Sequence, residues 1–385
     1  MSESPRIEWA EGGLQRDARW RSEAAVPPPR RVQVVDDTLP ADTAYRLASE
    51  GTGLLWRSDF QNARQLLQAM ARRADRKPRK PPPPPSSPAE AFHLHRQAQG
   101  QRSRVLGKVL VELEGDYRIA LPRAPDLRAA CAQAWGPPDG RPSVASLREL
   151  LGLVGAFEWR RKGVAIPALG AAPGNRIHPH YGVFSPVRGE YLDLIAAAPL
   201  PSRELAFDIG TGTGVIAALL ARRGVQRVVA TDQDPRALAC ARENFARLGL
   251  QDRVELLEAD LFPPGRAPLV VCNPPWLPAR PSSPLEHAIY DEGSRMLRGF
   301  LAGLANHLAP QGEGWLILSD LAEHLGLRTR EELAGWITAA RLRVVARDDM
   351  RPSHPKVQDA SDPLHAARAR EVTSLWRLGH GVTQQ

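Results

Sequence analysis

The sequence predicts an α/β protein: a seven-stranded sheet with its last strand antiparallel, preceded by an N-terminal accessory α+β region. Three observations carry this reading. From Arg203 onward, short apolar runs alternate with helical patterns. The first of those runs turns into its helix through Gly210-Thr211-Gly212-Thr213-Gly214. Between the last two runs, Arg351 to Pro363 is rich in Pro, Ser, His and Asp, so no crossover helix joins them and the final strand reverses direction.

The strands predicted in order are Leu205–Ile209, Arg227–Thr231, Val254–Glu258, Leu269–Cys272, Gly314–Ser319, Arg341–Arg347 and Val372–Leu378. Helices are predicted over Val215–Arg223, Pro235–Leu248, Ser294–Leu308 and Arg330–Ala340. Strand-helix alternation implies parallel strands with right-handed crossovers. Asp234 followed by Pro235 reads mainly as a cap and first helical residue. Asp291 or Ser294 caps the helix before the fifth strand.

Before this domain, residues 1–90 read as a polar segment with a helical pair and a Pro-rich linker. Pro27-Pro28-Pro29-Arg30-Arg31 ends a polar N-terminal stretch that reads as flexible. From Thr43 to Arg73, apolar residues including Leu54, Leu55, Phe60, Ala63, Leu66, Leu67 and Met70 recur mostly at three-to-four spacing. That predicts two helices, the second capped by Asp59 or Ser58. Arg72 to Lys80 makes a basic collar, and Pro81 to Pro85 an exposed polyproline II linker. The collar suits a nucleic-acid-contacting arm and a solvated spacer equally. Residues 91–175 form the accessory region, with alternating runs at Val105 to Leu113 and Tyr117 to Leu121 and a helix after Pro125. The third segment is 176–385.

Composition narrows the function classes. No window reaches the roughly 20 apolar residues of a membrane span. The start is polar, without the apolar stretch of a secretory signal, so the expectation is a cytoplasmic protein. Cys131, Cys240 and Cys272 are too scattered for a zinc knuckle, so no metal is expected. The net charge of +8, from 51 Lys+Arg against 43 Asp+Glu, permits a polyanionic partner without demonstrating one.

The chemistry sits in two motifs. A strand ending in Asp208 that turns through Gly210, Thr211, Gly212 and Gly214 into a helix is a nucleotide-binding arrangement. An acid just before the turn repels a pyrophosphate but pairs with an ammonium, which favours S-adenosylmethionine over a dinucleotide. Asp232 closes the second strand, where a carboxylate suits two ribose hydroxyls. Asp260 follows the third strand and suits an adenine amine, with Leu261 beside the ring. Asn273-Pro274-Pro275-Trp276 follows the fourth strand. There, the Asn273 amide oxygen and the Pro274 carbonyl suit the NH2 of a planar group. Pro275 stiffens the loop, and Trp276 offers a face to stack on. His178-Pro179-His180 has metal-like closeness but no further ligand, and reads as a solvated loop.

Together these residues resemble the class I S-adenosylmethionine-dependent methyltransferases, in the methyltransferase small domain group. That group includes release-factor glutamine methyltransferases and ribosomal RNA guanine-N2 and adenine-N6 methyltransferases. The resemblance spans roughly Tyr181 to Leu378 and implies a Rossmann-like methyltransferase sheet over 176–385. It implies that the glycine loop holds the methionine part, Asp232 the ribose, Asp260 the adenine, and Asn273 with Pro274 the acceptor nitrogen. Tyr181 to Pro186 resembles a stretch that roofs the cofactor, and Trp276 stands where Tyr or Phe is more usual.

The activity this implies is transfer of a methyl group to a planar NH2 nitrogen. The acceptor is a macromolecule: the exocyclic amine of a base in ribosomal RNA, or a glutamine amide in a translation protein. A non-catalytic nucleotide-binding module is the alternative of another class.

Overall fold

The computed structural model describes residues 5–76, 83–187, 189–281, 284–352 and 359–381. The end of the basic collar, the first linker prolines and residues 353–358 of the Arg351 to Pro363 stretch lie outside the described residues. The chain forms two compact units, residues 1–85 with 93–158, and residues 86–92 with 159–385.

The first unit is built on a six-stranded sheet. Its elements are β1 (Arg6–Glu11), β2 (Leu14–Arg21), β3 (Val32–Val35), α1 (Ala41–Ser49), β4 (Gly53–Trp56), α2 (Phe60–Ala74), α3 (Pro88–Leu106), β5 (Val109–Leu113), α4 (Arg128–Trp135), β6 (Ser143–Ser146) and α5 (Leu147–Lys162). The boundaries between the units fall within α3 and α5.

This unit departs from the sequence reading in several places. The stretch before Arg31 is not a flexible one: β1 and β2 pair as an antiparallel hairpin. Ile7 and Trp9 point into the core while Arg6 and Glu8 face solvent, so the strand is one-faced and its polarity misleads. Leu54 and Leu55 are not helical. They lie fully buried in β4, between α1 and α2. A short apolar run buried on both faces reads alike as strand or helix, and the sheet decides. Tyr117 to Leu121 forms no strand. The α2 cap is Asp59, whose carboxylate accepts from the Gln61 and Asn62 N–H groups. Strands from either side of residue 90 share this one sheet.

The second unit contains β7 (Val164–Ala165), β8 (Arg176–Ile177), α6 (Glu190–Ala197), β9 (Leu205–Ile209), α7 (Val215–Arg222), β10 (Arg227–Asp232), α8 (Pro235–Leu248), β11 (Val254–Glu258), β12 (Ala267–Cys272), α9 (Arg295–His307), β13 (Leu308–Ser319), α10 (Leu321–His324), α11 (Arg330–Ala339), β14 (Leu342–Met350), α12 (His365–Arg368) and β15 (Thr373–His380). Its seven-stranded sheet has the order β11-β10-β9-β12-β13-β15-β14. β15 lies between β13 and β14 and runs antiparallel to both, as the sequence predicts.

Alternate residues of the central strands feed two separate cores. Ala206, Leu269, Val271, Trp315 and Ile317 pack against α6, α7 and α8. Phe207, Ile209, Val270, Cys272, Leu316 and Leu318 pack against α9 and α11. Burial on both faces fixes the register of these strands, because a one-residue slip exchanges every side chain between the layers. Among the described residues, no helix is long and apolar enough to cross a membrane.

Candidate active site

The strand order places a reversal between β9 and β12. The chain steps outward from β9 to β10 and β11, then returns to lay β12 on the other side of β9. The loops leaving β9 and β12 therefore part at their carboxyl ends and open a crevice, where open α/β sheets bind ligands. The glycine turn leaves β9, and Asn273 to Trp276 leaves β12.

The glycine turn is braced from inside. Asp208 is only 1% exposed. Its Oδ2 accepts from the Thr211 hydroxyl at 2.7 Å and from the Ala217 N–H at 3.1 Å. The Thr211 N–H donates to the Thr231 carbonyl at 2.8 Å, so Thr211 turns inward. Gly214 has φ +82°, and a Cβ there would sit 2.6 Å from the Phe245 ring. Gly212 also has positive φ, but a Cβ there would meet nothing within 4 Å. The middle of the turn thus faces open space, while its ends are packed. A Cβ on Gly210 would collide with Met296.

Asp232 closes β10 beside this turn. Its Oδ2 accepts from the Gly212 N–H and its Oδ1 from the Asp234 N–H, both at 2.9 Å. Each oxygen retains a lone pair for a further donor. Burial pushes this carboxyl up, and the Asp234 and Gly212 N–H groups work against that. Asp234 caps α8 by accepting from the Arg236 N–H, the role its sequence position predicts.

Asp260 is exposed and faces Arg295 at 3.3 Å. Leu261 adopts a left-handed φ of +77°, and its carbonyl accepts from the Thr231 hydroxyl. In the acceptor loop, Pro274 is buried while Asn273, Pro275 and Trp276 are half-buried. The Trp276 indole N–H donates to Asn273 Oδ1 at 2.9 Å. Its ring packs against both cores of the sheet.

The sequence reading places the start of α9 and offers Asp291 as its cap, but not the contacts that this helix start makes. Asp291 accepts from the Met296 and Leu297 N–H groups, and its own N–H donates to the Leu277 carbonyl. This carboxylate, not the Ser294 hydroxyl, caps α9. One residue thus ties the acceptor loop to a helix whose first residues reach Asp260 and Gly210. A cap signal marks Asp291 in the sequence, but nothing there shows that Arg295 or Met296 faces the crevice.

His178-Pro179-His180 is not a solvated loop. Both histidines are half-buried. His180 Nε2 contacts Glu243 at 2.7 Å, and the His178 backbone is held by the Asn244 side chain. The Asn244 amide also donates to the Thr213 carbonyl in the glycine turn. Val183, within the predicted roof, packs on Ala237 and Cys240 of α8.

The methyltransferase small domain family matches residues 175–330, which contain both loops. A tRNA1(Val) (adenine(37)-N6)-methyltransferase of Shewanella amazonensis is 30% identical over 220 residues, 51% of this chain and 92% of that protein. The chain belongs to the class I S-adenosylmethionine-dependent methyltransferases. A release factor glutamine methyltransferase of Cereibacter sphaeroides is 35% identical over 196 residues, 47% of this chain. The match covers 65% of that relative, just under two thirds of its length. A ribosomal protein L11 methyltransferase of Pelotomaculum thermopropionicum is 32% identical over 140 residues, 36% of this chain and 43% of that protein.

The cofactor of this methyltransferase family is S-adenosylmethionine, and the crevice has the features it needs. Asp208 Oδ1 is buried without a hydrogen-bond partner among the described residues. The space beside Gly212 is open. Asp232 is held rigidly with acceptor capacity left over.

Proposed function

We propose that this methyltransferase transfers a methyl group to a planar NH2 nitrogen, the exocyclic amine of a base in RNA. The observation that carries this reading is the position of Asn273-Pro274-Pro275-Trp276. It leaves the strand next to the one that bears the glycine turn, across the reversal of the sheet.

S-adenosylmethionine supplies an activated methyl group on a sulfonium. The chain's own residues then bind and orient. The turn of Gly210, Thr211, Gly212 and Gly214, braced by Asp208, receives the methionine part. Asp232 accepts from the ribose hydroxyls. Asp260 and Leu261 border the adenine.

On the acceptor side, Asn273 Oδ1 and the Pro274 carbonyl accept hydrogen bonds from the target NH2. A conjugated amine has its lone pair delocalised into the ring. Two acceptors in fixed positions localise that lone pair toward the methyl group. Proline has no N–H, so Pro274 and Pro275 present acceptors only, and their fixed φ limits the loop's freedom.

The RNA reading is supported by the net charge of +8 and by the tRNA methyltransferase that matches along most of its length. A glutamine amide in a translation protein is the second reading. It is favoured by the release factor methyltransferase at 35% identity and fits the same grip, since an amide offers the same planar NH2.

Tritiated-methyl labelling separates the two. Purified protein and labelled donor are added to an extract of a strain lacking this gene, and the product is split by nuclease and protease. Label that ribonuclease releases supports the RNA reading. Label that survives ribonuclease and yields only to protease overturns it in favour of glutamine.

A further inference from the structure

Trp276 donates a hydrogen bond to the very atom that is proposed to receive the acceptor's NH2. An asparagine amide has an oxygen and an NH2 of nearly the same shape, and rotation by half a turn exchanges them. In one orientation Asn273 accepts from the target amine. In the other it opposes a donor to a donor, and the grip fails. An indole N–H only donates, so it meets the oxygen and not the amide NH2. At 2.9 Å it fixes the productive orientation, and the amide oxygen keeps a second lone pair for the acceptor.

The ring itself is not a free platform. It is half-buried and wedged between the core under α7 and α8 and the core under α9. Its neighbour Leu277 is buried, with its N–H donating to the Ile289 carbonyl and its carbonyl accepting from Asp291. The indole is therefore held on both sides, and its N–H is aimed by packing.

Building on the proposed methyl transfer at Asn273, we infer that Trp276 is a positioning residue. Its indole N–H sets the orientation of the Asn273 amide. A phenylalanine or tyrosine ring in its place would supply a face without this N–H.

Trp276→Phe is the first test, because it keeps an aromatic face and removes the donor. Rates are measured with tritiated donor against a dilution series of the gene-deleted extract. The plateau rate is expected to fall about tenfold or more, as for a misaligned reacting group. The extract concentration at half-saturation, and the affinity for S-adenosylhomocysteine, are expected to stay within about twofold. A second variant, with 3-benzothienylalanine at position 276, retains the double ring and replaces the N–H by sulfur. It guards against a packing defect and is expected to lose the plateau rate in the same way.

A benzothienyl variant with the wild-type plateau overturns the inference. So does a loss confined to half-saturation, the signature of a stacking platform. Asn273→Ala is the control. If that variant is fully active, the acceptor grip itself fails and this inference with it. If it is inactive while both Trp276 variants are unimpaired, only this inference fails.

Discussion

The two loops that face each other across the crevice are held by different means. The glycine turn is braced by its own neighbourhood. A buried carboxylate, a threonine hydroxyl and backbone N–H groups bond across residues 208–217, with β10 alongside. Within the Asn273 loop, the Trp276 indole N–H bonds back to Asn273 Oδ1. The loop's prolines cannot donate, and it is held by Trp276, by the bridge between Leu277 and Tyr290, and by side chains that arrive from distant parts of the chain. The donor side is thus stiff by hydrogen bonds within its own turn, the acceptor side by packing and by bonds that reach it from residues 289–291. The two sides should respond separately to mutation.

The largest expected effect isolates the acceptor side. Asn273→Ala removes one proposed acceptor of the target amine and leaves Asp208, Asp232 and the glycine turn untouched. Turnover in the extract assay should fall by about 10²-fold or more, the scale of losing one preorganised polar group at a reacting centre. Calorimetric affinity for S-adenosylhomocysteine should change by less than about threefold, which is under 1 kcal/mol. A parallel loss of cofactor affinity would show that the two sides are one unit.

The donor side carries its own pH signature. Burial, helped by the nearby Asp232 carboxylate, pushes Asp208 from 3.8 up to about 7, against the pull of Thr211 and Ala217. Between pH 3.8 and about 7 the folded protein retains a proton that the unfolded chain has released. This group's contribution is therefore full below pH 3.8 and is lost as pH rises through about 7. Melting temperatures of the wild type and the Asp208→Asn variant should diverge across that window, the wild type losing ground as pH rises. Parallel curves would refute the assignment. Asp232 is raised in the same sense, so some slope should remain in the variant.

Much of this architecture is legible in the residues. The βα alternation after Arg203 gives the seven strands, and the polar stretch after Arg351 gives the reversed final strand. The order of the Gly210 and Asn273 motifs places both at strand ends. What stays hidden is physical contact between residues far apart in the chain. Arg295 meets Asp260 across 35 positions, and no periodicity encodes that. The first unit is hidden for another reason. β1 and the second half of β2 alternate polar and buried residues, so composition averages them to polar. The parallel strands β3, β4 and β5 follow one another in a single direction across the sheet. Similar alternation in the second unit instead reverses at β9 and opens a crevice. Alternation reveals the class, but only strand order reveals the reversal.

The smallest expected effect concerns the packing that supports the acceptor loop. Phe92, in the short piece of α3 that belongs to the second unit, is 1% exposed. It shares a cluster with Leu277, Leu321, Leu325 and Leu364, and its ring lies 6.4 Å from that of Tyr290. Leu277 and Tyr290 are the two ends of the bridge that closes the acceptor loop. Phe92→Leu retains most of the apolar volume and removes the ring contact, so the cost should be about 1 kcal/mol. If packing is what holds this loop, amide hydrogen exchange over residues 277–291 should speed up several-fold, since local opening tracks local stability. Residues 205–232, braced by their own hydrogen bonds, should exchange as in the wild type. Equal acceleration in both segments would mean that the donor turn leans on the same cluster, and the contrast between the two sides would be lost.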